Sequence, residues 1–251
     1  DDEVLAYAAL VVALQADAVV GGIDAESTRR GVDFYKTFVH GNVEGTDSRT
    51  AEMIKLTENS FRDVNIAFAN ELSLICEDLG IDVWEVIALA NRHPRVNILR
   101  PGAGVGGHCI AVDPWFLVDS APKTAKLIRS AREVNDAKPE HILSRTLAAV
   151  NALPNPAVAC LGLAFKPDVD DLRESPALRI ADALASRGLR LLICEPHIQC
   201  LPPSLENRPH VRKADLGECL EKGDVILALV GHSAFAAVRA ETLAGKTVID
   251  A

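Results

Sequence analysis

The 251-residue chain contains six cysteines but no Cys-x-x-Cys pair, which removes the zinc-ribbon and thioredoxin-type readings. Cysteines scattered in this way fit a reduced compartment, and a cytoplasmic protein is expected. Basic residues are outnumbered, 26 Lys and Arg against 35 Asp and Glu, for a formal net charge of -9. That balance argues against a polyanion-binding surface, so nucleic acid is not an expected partner. A membrane-length apolar run is also lacking. The most apolar stretch, residues 4–20, is interrupted by Gln15 and Asp17 and preceded by Asp1, Asp2 and Glu3, the wrong sign for a signal peptide. No membrane span is expected. Position 1 is not methionine and the single methionine is Met53, so the chain is read as part of a longer one. What is present is 49% hydrophobic and 24% charged residues, enough for a proper core and by length for two. Disordered and collagen-like classes are excluded.

Punctuation along the chain divides it into three. Residues 1–49 offer a short strand at Ala18–Val20 ending on Gly21-Gly22, then a helix starting near Asp24 or Ser27 and running to Val39. From Thr50 to Leu79 there is neither Gly nor Pro, which predicts one unusually long helix stopped by Gly80. Asp82 can cap a second helix through Ala90. Pro94, Pro101 and a cluster of glycines then make a loop up to Asp113-Pro114, and helices are expected over residues 123–135 and 140–150. After Pro154 and Pro156 the pattern changes. Strands are expected at residues 157–163, 190–194, 225–230 and 247–249, with a helix from Pro176 to Arg187, the alternation of an open parallel sheet. The fold class is therefore α/β, a central long-helix region followed by a Rossmann-like parallel-sheet domain.

Gly102-Ala-Gly-Val-Gly-Gly107 spells the dinucleotide fingerprint, but it follows a proline-rich loop and leads into His108-Cys109, not into a helix-forming run. Its glycines instead let the backbone approach a ligand closely beside a cysteine. Cys109, next to His108 and four residues before Asp113, is either a nucleophile, since a thiolate attacks carbonyl carbon well, or a small buried hydrophobe. Lys55, Asn59 and Arg62 recur at helical spacing and share one face. They are either a donor array for an anion or oxyanion, or a solvated face. His93 and Arg95 bracket Pro94 on the loop leading toward Cys109. In the segment from Gly162 to Pro176, Lys166 and Arg173 can meet phosphate at the carboxyl end of a strand, or belong to a solvated loop with Asp168, Asp170 and Asp171.

Four runs together, Ser48 to Glu71, Ala90 to Leu99, Gly104 to Trp115 and Gly162 to Pro176, resemble the UDP-glucose/GDP-mannose dehydrogenase family. The resemblance implies oxidation of the C6 hydroxymethyl of a UDP-sugar to a carboxylate with NAD as cofactor. The route implied is an aldehyde, a thiohemiacetal and a thioester on cysteine. The run Asn91–Asn97 favours UDP-N-acetyl-D-mannosamine over UDP-N-acetylglucosamine or UDP-glucose. Carried over by position, Cys109 is the nucleophile. Lys55 and Asn59 hold the oxyanion, with an ordered water near Asp113. Arg62, His93, Arg95 and Gly106 line the sugar and its diphosphate, Phe165 and Lys166 contact the UDP moiety, and Arg173 reaches NAD. A homodimer built on the long helix from Thr50 is also implied.

On this resemblance residues 1–49 are a remnant of an N-terminal dinucleotide-binding domain. Residues 50–150 form a central helical domain carrying the catalytic loop, and residues 151–251 an incomplete UDP-binding Rossmann-like domain. The family's N-terminal NAD-binding Rossmann domain is expected to be largely missing, along with a Pro-Glu-Arg segment before Val19 and a Lys after the final strand. A redox-inactive UDP-sugar-binding and dimerisation fragment is the alternative reading.

Overall fold

The computed structural model describes residues 7–9 and 17–251; apart from 7–9, the apolar stretch over residues 1–16 lies outside the described residues. Two compact units are present, Asp1–Phe61 and Arg62–Ala251. In the first, β1 (Tyr7–Ala9) pairs antiparallel with β2 (Ala18–Gly22), which pairs in parallel with β3 (Val43–Asp47). The crossover between β2 and β3 is helix α1 (Ala25–Tyr35), capped by Asp24, whose carboxylate accepts from the Ser27 amide at 2.7 Å. This helix stops short of the expected Val39. The Thr37 amide and hydroxyl both turn back to the Phe34 carbonyl, ending the helical ladder early.

Helix α2 (Ser48–Leu79) is continuous over 32 residues, as the absence of Gly and Pro predicts. It ends where expected. Gly80 adopts φ 66° and the Ile81 amide reaches back to the Cys76 carbonyl, a left-handed cap that costs glycine nothing. Helix α3 (Val83–Ala90) is capped by Asp82, and α4 (Asp113–Ser120) starts with Pro114 in its first turn. The two helices expected over 123–135 and 140–150 are one, α5 (Lys126–Asn151), with Pro139 inside it. Proline frees the carbonyl four residues back, that of Asn135, and the helix survives because its buried face keeps it packed.

Besides two short 3-10 helices, Ser233–Phe235 and Ala240–Leu243, the remaining elements are β4 (Ala157–Leu161), α6 (Pro176–Ser186), β5 (Arg190–Cys194), α7 (Pro203–Glu206), β6 (Val211–Lys213), α8 (Leu216–Lys222), β7 (Val225–Ala228) and β8 (Thr247–Asp250). They build a five-stranded parallel sheet in the order β6-β5-β4-β7-β8. Alternation splits β4 between two cores. Val158 and Cys160 face a cluster with Ile142 and Leu143 of α5 and Ile180 and Leu184 of α6. Ala157, Ala159 and Leu161 face Cys219 of α8 and Ile226. With both faces covered, the strands read as continuous apolar runs. Short β6 shows no such run and is visible only in the structure, where it pairs with β5 at the sheet edge. The expected strands 157–163 and 225–230 end two residues sooner, because the chain leaves the ladder there to form a crevice. Among the described residues no helix is long and apolar enough to cross a membrane.

Candidate functional site

Strand β4 lies at the centre of the sheet, and the chain leaves it first toward β5 and β6, then returns to its other side through β7 and β8. Neighbouring loops therefore diverge at the carboxyl ends of β4 and β7, the position where open α/β sheets take their ligands. A cavity of about 490 Å³ opens there, with Arg62, Trp84, Arg100, Phe165, Lys166 and Val230 among its walls. The Lys166 ammonium lies 5.5 Å from the centroid of the Phe165 ring, and the Arg100 guanidinium 5.9 Å from that of Trp84. The Trp84 indole N–H donates to Asp250 at 3.0 Å, and burial pushes the Asp250 carboxyl above its usual range. Cations beside flat apolar faces suit a ligand with an anionic and an aromatic part. Larger cavities lie elsewhere: about 780 Å³ along Asp47–Phe61 in the first unit, and about 750 Å³ near Arg190 and Asp224 at the opposite ends of the strands. Neither borders the glycine-rich loop.

That loop, residues 91–112, is fastened at several points. Asn91 donates to the Ile98 carbonyl at 3.0 Å and accepts from the Ile98 amide at 2.7 Å, closing a turn on which His93 and Arg95 stand exposed. The His93 Nδ1 accepts from the Arg95 amide at 3.3 Å. Farther on, the Gly102 amide donates to Asn70 at 2.9 Å and the Gly107 amide to the Arg173 carbonyl at 3.2 Å. Gly106 is buried against the segment between β4 and α6. A Cβ there would stand 2.5 Å from the Glu174 carbonyl oxygen, 2.8 Å from Pro176 Cδ and 2.9 Å from Phe165 Cβ. Only glycine allows this approach. The loop then turns at half-buried Cys109, whose carbonyl accepts from the Val112 and Asp113 amides at 2.9 and 2.8 Å and so closes the turn that leads into α4.

Behind the loop stands a buried polar network between α2 and α5. Arg132 and Asp63, 2% and 0% exposed in their side chains, pair at 2.6 Å, and Arg132 also contacts Asp136. The Asn135 amide donates to Asp63 at 2.8 Å, and Asn70 donates to Asn135 at 2.9 Å. Since Asn70 is also the acceptor for Gly102, the chain of bonds runs from Asp63 to the start of the glycine-rich loop. Burial pushes the Asp63 carboxyl upward despite the guanidinium.

Among the residues singled out in the sequence, Arg62, Phe165 and Lys166 meet around the switch-point cavity, and Cys109 and Asp113 share one turn. Gly106, three residues before Cys109, packs against the segment between β4 and α6. Arg173 is exposed and held by Asp171 through its Nε and Nη2, the latter at 2.6 Å; that guanidinium keeps the Asp171 carboxyl down at about 2. Lys55 and buried Asn59 fall in the first unit, where the Lys55 ammonium stands 3.5 Å from Glu58. Missed in the sequence was the cluster of Glu195, His197 and His232, which gathers with Asp168 at the carboxyl ends of β4, β5 and β7. The available signal was a charged residue directly after an apolar strand, Glu195 after Leu191–Cys194.

The central domain of the UDP-glucose/GDP-mannose dehydrogenase family matches residues 49–137, and that family's UDP binding domain matches residues 159–251. The chain belongs to the UDP-glucose/GDP-mannose dehydrogenase family. An NDP-N-acetyl-D-galactosaminuronic acid dehydrogenase of Ralstonia solanacearum is 51% identical over 238 residues, covering 94% of this chain and 56% of that protein. A UDP-N-acetyl-D-mannosamine dehydrogenase of Escherichia coli (strain K12) is also 51% identical, over 259 residues, covering 100% of this chain and 61% of that protein. The chain thus spans little more than half the length of these relatives. A solved UDP-N-acetyl-mannosamine dehydrogenase from S. aureus superposes with a TM-score of 0.77 at 40% identity, covering 92% of this chain and 54% of that one. The cavity at the ends of β4 and β7 lies mainly within the part that matches the family's UDP binding domain, while Cys109 lies within the part that matches the central domain.

Proposed function

We propose that the chain is the central and UDP-binding portion of an NAD-dependent UDP-sugar 6-dehydrogenase that converts UDP-N-acetyl-D-mannosamine to UDP-N-acetyl-D-mannosaminuronate, a precursor for bacterial surface polysaccharide. The observation that carries this reading is the docking of the Cys109 loop, through Gly106 and Gly107, onto the same β4-to-α6 segment that presents Phe165 and Lys166 to the cavity. A nucleotide diphosphate held against Lys166, Arg62 and Arg100 would have its distal sugar directed along that loop. Arg62 and, on the loop, His93, Arg95 and Gly106 are the residues we assign to the sugar and its diphosphate.

In the chemistry proposed, Lys55 and Asn59 stabilise the alkoxide that develops at C6, together with a water held near Asp113. The Cys109 sulfur then adds to the aldehyde carbon, forming a C–S bond as the carbonyl oxygen gains a proton. After oxidation of that thiohemiacetal, water cleaves the resulting thioester to the carboxylate and the free thiol. NAD, when bound, would supply the acceptor for the two hydrides. The described residues do not make a full dinucleotide cradle, since the Gly102–Gly107 lettering sits in a loop with no strand before it and Arg173 is the one residue we assign to the cofactor. Helix α2 also presents Phe68, Ile75 and Leu79, exposed and spaced seven and four residues apart on one face, which supports the second copy of this chain as a partner.

The test is the number of NADH formed per UDP-N-acetyl-D-mannosamine consumed by the full-length protein, read by absorbance. Two are expected. In Cys109→Ser the full four-electron oxidation should be lost while UDP still binds. Retention of two NADH per sugar by that variant would sink the covalent step.

A further inference from the structure

Beside the Phe165-Lys166 turn, and not among the cavity walls, lies a buried acid–imidazole pair with no part in the chemistry above. Glu195 and His232 have fully buried side chains, 0% exposed, with His232 Nε2 3.0 Å from a Glu195 carboxylate oxygen. That same oxygen accepts from the Leu163 and Ala164 amides at 2.7 and 3.0 Å, and the other Glu195 oxygen accepts from the His197 amide at 3.0 Å. On its far side His232 Nδ1 accepts from the Asp168 amide at 2.9 Å. Asp168, at φ 59°, in turn accepts from the Ser233 amide and hydroxyl at 2.9 and 3.0 Å.

The proton positions follow from these partners. Nδ1 takes an N–H and so bears a lone pair, which leaves the proton of the neutral ring on Nε2, pointed at Glu195. Asp168, His197 and His232 bring one ligand atom each within 4.8 Å of one another, a grouping that resembles a metal site. The Nδ1 lone pair is already committed to the Asp168 amide, and Asp168 to Ser233, so the cluster works as a tether and not as a ligand set. Amides 163, 164 and 168 flank residues 165 and 166 on both sides. Each flank is held by one member of the buried pair.

We propose that Glu195 and His232 are positioning residues that hold the Phe165-Lys166 turn in its ligand-binding geometry without touching the ligand, an inference that rests on the nucleotide-sugar reading of the cavity. Neither side chain is among the cavity walls. Their energetic effect passes through backbone N–H groups: without the tether the turn would have to pay for its ordering at the moment of binding.

Two substitutions separate the halves of the tether. Asparagine places its oxygen near Nδ1, so His232→Asn keeps an acceptor for the Asp168 amide. Glutamine places its nitrogen near Nε2, so His232→Gln keeps the donor to Glu195 and orphans that amide. Binding of UDP-glucose to the full-length protein, by calorimetry, is expected to weaken about fivefold to tenfold in His232→Gln, the loss of one hydrogen bond, and to stay within about twofold in His232→Asn. UDP-glucose is chosen because its diphosphate is a diester and does not titrate near neutral pH. A second readout, hydrogen exchange over residues 162–169, faster in His232→Gln and near the wild type in His232→Asn, reads the tether without any ligand.

Unchanged affinity and unchanged exchange in His232→Gln would overturn the proposal, as would equal losses in the two variants. Failure of the wild type to bind any UDP-sugar would overturn the nucleotide reading instead, whatever the exchange shows.

Discussion

Placing one methyl group on Gly106 should disable the Cys109 loop. The added carbon meets the Glu174 carbonyl oxygen at 2.5 Å, while ordinary contact begins near 3.4 Å, so loop and segment must part by about 0.9 Å. None of the three obstructing atoms can swing aside. One is a backbone carbonyl, one belongs to the ring of Pro176, and one is the Cβ of Phe165. Overpacking of this kind costs about 1–3 kcal/mol, and for a chain of this size each kcal/mol lowers Tm by roughly 2–4 °C. A shift near 1 Å at a reacting group is worth about 100-fold in rate. Gly106→Ala in the full-length protein should therefore melt roughly 2–12 °C lower and oxidise the sugar nucleotide about 100-fold more slowly. Gly102→Ala is the control, because a Cβ at Gly102 meets nothing within 4 Å. If Gly106→Ala matched the wild type in both melting and rate, the close approach would not be a feature of the folded protein.

Burial holds the Lys138 ammonium down at about 8, with Ser73 Oγ at 2.6 Å as its hydrogen-bond acceptor. A folded value below that of the unfolded chain means that stability is greatest above the unfolded value and is lost as pH falls through about 8. The step is about 3 kcal/mol. Denaturant titrations from pH 7 to 10.5 should show it, and Lys138→Met should flatten it; an unchanged slope would refute the assignment. Asp63→Ala leaves the Arg132 guanidinium buried with Asp136 alone and should cost about 3–5 kcal/mol in the same titrations, whereas a loss under 1 kcal/mol would show that the network carries little. Brief alkylation of the native protein, read by peptide mass, should label exposed Cys200 and half-buried Cys109 and spare Cys76, Cys160, Cys194 and Cys219; burial pushes the Cys160 thiol up to about 12. Labelling of Cys160 before Cys109 would contradict the burial described.

Elements with local causes were legible in the amino-acid sequence. The 32-residue helix α2 follows from a run without Gly or Pro and ends at a glycine with positive φ. The caps at Asp24 and Asp82 follow from short polar side chains placed before apolar periodicity. The four apolar strands of the parallel sheet follow from runs that must be buried on both faces. The glycine-rich loop could be separated from a dinucleotide fingerprint because no strand precedes it. The family resemblance rested on runs of this kind, each contiguous in sequence.

What the tertiary structure alone decided are the relations between segments far apart in the chain. Nothing near Pro139 shows that α5 continues through it; packing of the helix against the sheet and α6 outweighs the one missing hydrogen bond. Edge strand β6 has too few apolar residues to announce itself and exists by pairing with β5. Gly106 reads in sequence as a residue that lets a backbone meet a ligand, but its nearest neighbours are Glu174 and Pro176, about 70 residues on. The tether of Glu195, His232 and Asp168 joins residues 27 and 37 positions apart in the chain. Periodicity and capping act over a few residues, within the reach of one turn or one pleat. Burial of a charge and closure of a cavity depend on which strands become neighbours, and that order is set by the folding of the whole sheet.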